Sequence, residues 1–252
     1  KPDVLAEFWL RIGIETFQEQ KYNLSRSYFQ RIWNLRESAT IDGLVPLYLA
    51  ELQVIGLRPR EAVTILESFI AYSDSRRELI LFRLGGIYLE IDRWSDATRT
   101  LDTFLTEFPE SKYFSEGAYF SAYAYYRNGE YTNSLAHIRD VLQAAKGGAF
   151  TDKLLRLQSV LYKQTGELQA AIDTLREYIP LQPGDSPARM DLIKLLFRIR
   201  SYDEVLTEVS IIENVTPFSE PESAFFLLSQ YMYGLSLIAN HEYASAAETL
   251  EV

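Results

Sequence analysis

Residues 83–109 read RLGGIYLEIDRWSDATRTLDTFLTEFP, and their apolar spacing indicates how the chain folds. Gly85 and Tyr88 lie on one apolar face and Ala97 on a second, so the stretch predicts two short antiparallel helices. Gly85 and Ala97 are expected where the two helix backbones approach most closely, because small side chains leave room there. Pro109 ends the second helix, since proline cannot continue it.

The same spacing recurs in one phase along the whole chain, in a unit of about 34 residues. The second copy has Pro59 in the turn between its helices, and the sixth has Ile193 and Val205 where small residues are expected. The seventh stops partway through its second helix. The copies occupy residues 6–39, 43–76, 78–111, 115–148, 152–185, 186–219 and, incompletely, 227–252.

A helix–turn–helix unit of this length and pattern resembles the tetratricopeptide repeat. The resemblance implies an all-α protein, a right-handed α-α superhelical solenoid of about seven helical hairpins. Each repeat of a solenoid packs on its neighbours, so the core grows lengthwise and a chain of this size need not divide. We therefore expect a single solenoid over residues 1–252.

Composition argues against several functions. The chain has no cysteine, which excludes disulfides, cysteine-ligated zinc and thiol catalysis. Its net charge of −10 disfavours binding to nucleic acid or to an anionic membrane surface. His137 and His241 are the two histidines, and both are expected to be solvated. No phosphate-loop, zinc-protease, nucleophile-elbow or dinucleotide motif is present. We predict a non-enzymatic protein without cofactor or metal.

One apolar stretch, residues 223–240, raises the question of a membrane span. Ser229, Gln230 and Ser236 interrupt it, and it falls in phase with the repeat. We predict the first helix of the seventh hairpin rather than a transmembrane segment.

The resemblance also implies a concave groove lined by the first helix of each repeat. Three tyrosines lie on one face of the fourth repeat's first helix, and basic residues follow in the next two repeats. Such a surface suits a peptide with aromatic or aliphatic anchors and a carboxylate. The alternative is that the tyrosines pack on the next repeat and the lysines keep the groove soluble. The predicted partner-binding groove comprises Leu79, Phe82, Tyr119, Tyr123, Tyr126, Lys153, Arg156, Lys163, Lys194 and Phe197.

Two further ideas follow from the repeat pattern. Chaperone-binding members of the family place asparagines beside the basic residues, and Val160 and Tyr123 stand there instead, which counts against that ligand. The apolar first-helix positions of the first two and the last repeats suit a hydrophobic ligand, the protein's own terminal helix, or self-association through the incomplete seventh repeat.

The linker between the third and fourth repeats carries a narrower resemblance. Residues 108–131 read FPESKYFSEGAYFSAYAYYRNGEY, in which Pro109, Ser111 and Tyr113 form a Pro-x-Ser-x-Tyr pattern. This is similar to bacterial envelope tetratricopeptide proteins, namely the lipoprotein of the outer-membrane barrel-assembly machinery and the Tol–Pal coordinators.

That similarity implies a periplasmic or outer-membrane-associated interaction scaffold. The chain opens with KPDV and no methionine, which suggests removal of an upstream segment that carried a lipid anchor. The alternatives are a cytoplasmic co-chaperone-like adaptor and a ligand-binding accessory protein of a transporter.

Overall fold

A computed structural model describes residues 2–36, 42–70, 76–144, 150–215 and 224–250. Within these ranges every regular element is an α-helix, and the predicted all-α fold is confirmed. The helices are α1 (Pro2–Gln18), α2 (Tyr22–Trp33), α3 (Leu44–Ile55), α4 (Pro59–Ile70), α5 (Arg77–Glu90), α6 (Trp94–Glu107), α7 (Phe114–Arg127), α8 (Tyr131–Ala144), α9 (Thr151–Thr165), α10 (Leu168–Tyr178), α11 (Ser186–Arg198), α12 (Tyr202–Val215), α13 (Ala224–Ala239) and α14 (Tyr243–Leu250).

The described helices form seven consecutive hairpins, which confirms the predicted helical-repeat architecture. Each predicted repeat contains one helix pair, in the expected order. The starts of the first and seventh hairpins differ most from the prediction. Helix α1 begins at Pro2 and α13 at Ala224, ahead of the predicted starts at 6 and 227. The apolar stretch that raised the membrane question is α13, the first helix of the seventh hairpin.

One turn position is left-handed in all seven hairpins. It is the second residue after the first helix in six hairpins and the residue directly after α9 in the fifth. A positive φ at this position reverses the chain in a short turn. Glycine is the usual residue there, yet five of the seven positions carry another residue. The position is held by Gln20 (φ 60°), Leu57 (57°), Asp92 (61°), Gly129 (80°), Gly166 (82°), Arg200 (63°) and His241 (66°).

Small residues bring the two helices of a hairpin together, as predicted. A Cβ added to Gly85 would lie 2.5 Å from the side chain of Leu101, so Leu101 rather than Ala97 occupies the space opposite this glycine. In the first hairpin the Ser25 hydroxyl donates to the Gly13 carbonyl oxygen at 2.8 Å. A Cβ added to Gly13 would lie 2.9 Å from the Phe29 ring, so a larger residue at either glycine would displace the side chain opposite it.

The described helices group into two compact units, residues 1–137 and 138–252, with the boundary inside α8. The first unit has an apolar core that includes Phe29, Leu66 and Leu101. The second has its own core, which includes Ile172 and Leu196. The expectation of one continuous solenoid over the whole chain stays a prediction.

Candidate partner-binding surfaces

The tyrosine row of the first unit consists of Tyr119, Tyr123 and Tyr126 on α7. Residues spaced by four and three share one face of a helix, and the buried residues Gly117, Ser121 and Ala124 occupy the opposite face. The rings of Tyr119 and Tyr123 stack with centroids 6.3 Å apart, and those of Tyr123 and Tyr126 lie 6.2 Å apart. All three side chains are half-buried, so they form a continuous aromatic strip with an accessible side.

Arg127 fixes the middle of the tyrosine row. Its Nη1 donates to the Tyr123 hydroxyl at 2.9 Å, and its guanidinium lies 4.3 Å from the centre of the Trp94 ring on α6. Trp94 also meets Tyr123 edge to face, with centroids 6.5 Å apart. A cation between two aromatic rings holds both in defined positions. The surface beside the row is therefore preorganised.

Phe82 on α5 packs against two aromatic rings, and its predicted part in the groove stays a prediction. Its ring stacks on Tyr113 at 4.8 Å and on Phe120 at 5.9 Å. These contacts pack α5 against α7 and the turn before it, so Phe82 supports α7. Leu79, on the same helix, is half-buried.

Two predicted cations of the second unit are already paired with a carboxylate. On α9, Lys163 Nζ lies 2.8 Å and Arg156 Nη2 3.0 Å from Asp191 Oδ2 on α11. Burial raises the pKa of Asp191, but the hydrogen bonds and charges of Lys163 and Arg156 outweigh it, and the net pKa is lowered. Arg156 also lies 3.7 Å from Asp185.

These cations therefore already have a carboxylate partner within the protein, and their predicted role in holding a ligand carboxylate stays a prediction. Sequence analysis missed Asp191, although its separation of 35 residues from Arg156 is close to one repeat and places it on the next first helix. That spacing is the signal that could have found it.

The remaining predicted residues of the second unit are Lys153, Lys194 and Phe197. Lys153 is exposed, with its ammonium 4.4 Å from the centre of the Phe150 ring. Lys194 is exposed on α11. Phe197 packs edge to face on Tyr202 at 5.6 Å, which closes the sixth hairpin. A joint site of tyrosines and cations stays a prediction.

Acidic residues engage other tyrosines and one histidine. Tyr125 on α7 donates to Asp102 on α6, and Ser121 donates to the other oxygen of that carboxylate at 2.7 Å. His137 is half-buried with Nε2 3.5 Å from Asp102, contrary to its expected solvation. Tyr88 on α5 donates to Glu67 on α4 in the same manner. These contacts join neighbouring hairpins.

Two other kinds of site, metal centres and membrane spans, have no candidate among the described residues. No group of three or more histidine, aspartate or glutamate side chains within these residues is arranged to hold a metal ion. None of the helices in the described ranges combines the length and apolar character that crossing a membrane requires.

Comparison with known proteins agrees with the repeat geometry. The family model of the tetratricopeptide repeat matches residues 80–111. No curated protein sequence matches the chain. The fold resembles that of a tetratricopeptide repeat protein from Parabacteroides merdae, with a TM-score of 0.66, 16% identity and coverage of 98% of this chain and 91% of that one.

Two further solved structures share the fold. PilF of Pseudomonas aeruginosa aligns with a TM-score of 0.62 and 15% identity, covering 91% of this chain and 98% of its own. YrrB, described as a TPR protein with an unusual peptide-binding site, aligns at 0.57 with 15% identity, covering 74% and 89%. Residues 80–111 thus match a tetratricopeptide repeat, and the fold of the chain resembles that of solved tetratricopeptide-repeat proteins.

Proposed function

We propose that the chain is a non-enzymatic interaction scaffold that binds a peptide or a segment of a partner protein on the first-helix face of its fourth hairpin. The tyrosine row on α7 carries this proposal. Tyrosine offers a large contact area and loses little side-chain entropy on binding, so it dominates many recognition surfaces.

The tyrosine row is better suited to partner binding than the predicted basic patch. Arg127 already positions Tyr123 and Trp94, so a partner would meet an ordered surface and lose less affinity to ordering. Arg156 and Lys163, by contrast, are neutralised by Asp191. A ligand carboxylate would have to compete with Asp191 for them.

We further propose that the scaffold works in a bacterial cell envelope, in the periplasm or at the outer membrane. The support is the linker between the third and fourth hairpins, whose Pro-x-Ser-x-Tyr pattern resembles that of envelope family members. Ser111 Oγ donates to Glu78 at 2.5 Å and accepts from the Tyr113 backbone N–H at 3.0 Å. The serine thus ties the linker to the start of α5.

Photo-crosslinking in the source cells tests the partner surface. Tyr119 is replaced by the photoreactive amino acid p-benzoylphenylalanine. In the matched control the same amino acid replaces Tyr243, which is 60% exposed at the start of α14, the second helix of the seventh hairpin. We expect a discrete protein adduct from position 119 that disappears in a Tyr123→Ala/Tyr126→Ala background. Equal adducts at both positions, or adducts unaffected by the alanine variant, would contradict the proposed surface.

Cell fractionation tests the location separately. An envelope protein is found with the periplasm or membranes after osmotic release of the outer compartment. Recovery of the protein with the cytoplasmic fraction would refute the envelope proposal and favour the adaptor alternative, whatever the crosslinking shows.

A further inference from the structure

A cleft of about 600 Å³ lies at the turn edge of the first two hairpins, away from the tyrosine row. Its walls come from the start of α2, the end of α3 and the turn before α4. Lys21, Arg26 and Arg58 line it together with the apolar residues Leu24 and Ile55. Three cations around one cleft contrast with the net charge of −10 of the chain.

Two of the three cations take part in exposed ion pairs. Lys21 Nζ lies 2.8 Å from Glu19, and Arg58 Nη1 lies 3.6 Å from Glu61. Exposed ion pairs of this kind contribute little free energy to stability. An incoming carboxylate can therefore replace Glu19 or Glu61 at small cost.

Arg26 is less fully compensated. Its Nη2 donates to a neutral acceptor, the Leu52 carbonyl oxygen near the end of α3, at 3.0 Å. Its Nε is buried and has no acceptor among the described residues. In addition, the first turn of α2 has no side-chain cap on its backbone N–H groups, and these also favour a negative charge nearby.

The apolar residues of the cleft are unusually exposed. Leu24 is 46% and Ile55 45% exposed, on either side of the cationic residues. Beyond Arg58, a second cleft of about 450 Å³ is lined by Leu57, which is 89% exposed. Single exposed apolar residues are common, but here Leu24 and Ile55 line one cleft with all three cations, and Leu57 lines a second cleft with Arg58. The surface therefore offers aliphatic contacts directly beside positive charge.

We propose that this cleft docks an acidic segment of a partner protein in which carboxylate side chains alternate with aliphatic ones. The carboxylates would pair with Lys21, Arg26 and Arg58, and the aliphatic side chains would cover Leu24 and Ile55. A protein segment fits better than an anionic membrane, because the cations line a recess that an extended segment can enter and a broad membrane surface cannot. This docking surface is independent of the tyrosine row.

Nuclear magnetic resonance titration of the isotope-labelled full chain tests the proposal. The probe is a capped eight-residue peptide of alternating leucine and glutamate, and the control peptide has glutamine in place of glutamate. We expect saturable shifts of the Leu24, Ile55 and Gly56 amides with the glutamate peptide, weakening as salt is added.

A charge-neutralised variant separates cleft binding from general attraction. Lys21→Gln/Arg58→Gln removes two exposed cations and should weaken binding about tenfold. Arg99→Gln, at an arginine whose side chain is 74% exposed on α6, should bind like the wild type. Thermal unfolding of both variants checks that the fold is kept.

Several results would overturn the proposal. They are the absence of saturable shifts, equal binding of the glutamine peptide, and a double variant that binds like the wild type. Inorganic phosphate or vesicles of anionic phospholipid that compete at the same ionic strength as tightly as the peptide would show a simple anion or membrane site instead.

Discussion

The Cβ position of Gly85 lies 2.5 Å from the side chain of Leu101, closer than real side-chain atoms approach. An alanine at this position must push Leu101 and the facing helix away. We expect Gly85→Ala to lower the free energy of unfolding by about 1–3 kcal/mol. Urea unfolding followed by circular dichroism measures the change.

The neighbouring Gly86 is the matched control for that experiment. Its added Cβ would approach only the end of the flexible Arg83 side chain, at 3.7 Å. Gly86→Ala should leave stability unchanged or raise it by about 0.5–1 kcal/mol, because alanine favours a helix interior. Equal destabilisation by both variants would show that the close contact at Gly85 is not the cause.

The left-handed turn position should respond to glycine and alanine with opposite signs. Leu57 adopts φ 57° and is 89% exposed, so Leu57→Gly relieves backbone strain and loses little packing. We expect a gain of about 0.5–1 kcal/mol. Gly129→Ala, at φ 80° with open space around its Cβ, should cost about 1 kcal/mol. The thermal unfolding midpoint of each variant measures its change in stability. If both substitutions shift the midpoint in the same direction, the positive φ is not the cause.

Asp191 should stabilise the second unit in a pH-dependent manner. Because its net pKa lies below the ordinary value of 3.8, its contribution is complete above that pH and is lost as the pH falls through the folded pKa. Asp191→Asn leaves Lys163 and Arg156 without this carboxylate and should cost about 1–2 kcal/mol at pH 7. The difference in urea midpoint between wild type and Asp191→Asn should become smaller below pH 4. A difference that stays constant with pH would exclude the ion pair as the source of the stability change.

Tyrosine titration should reveal the buried phenols. Burial raises the pKa of Tyr178 to about 12, helped by its hydrogen bond to Asp185, and burial with the Asp102 bond raises that of Tyr125 further. Since each folded pKa exceeds the unfolded one, the associated stability is complete below pH 10 and lost as pH rises above it.

A variant tests this assignment. Tyr125→Phe should cost about 1 kcal/mol at pH 7 and less above pH 10. Tyr231→Phe, at a tyrosine that is 55% exposed, should leave stability unchanged. If the absorbance lost in Tyr125→Phe is lost near pH 10, where an ordinary phenol ionises, rather than at higher pH, the raised pKa is refuted.

The sequence predicts the helices well because the fold repeats one local pattern. Gly85 and the tyrosine row could be placed by spacing alone, since helical geometry determines which residues share a face. Asp191 could not be placed as securely, because its pairing with Arg156 and Lys163 depends on side-chain conformations across two hairpins. Likewise, Phe82 was assigned to the right helix, but its coverage by Tyr113 depends on the path of a linker.

Leu57 marks another limit of prediction. Leucine disfavours a positive φ, so composition gave no reason to place a left-handed residue there. The hairpin geometry imposes that conformation on whichever residue occupies the position.

The tolerance of that turn position bears on how such a protein diversifies. Glutamine, leucine, aspartate, arginine and histidine all occupy it without altering the course of the chain. Each turn can therefore become charged or apolar by substitution of this one residue, while the sequences of the flanking helices are unchanged. Within each unit, these turns are free to evolve new specificity at a cost of about 1 kcal/mol per turn.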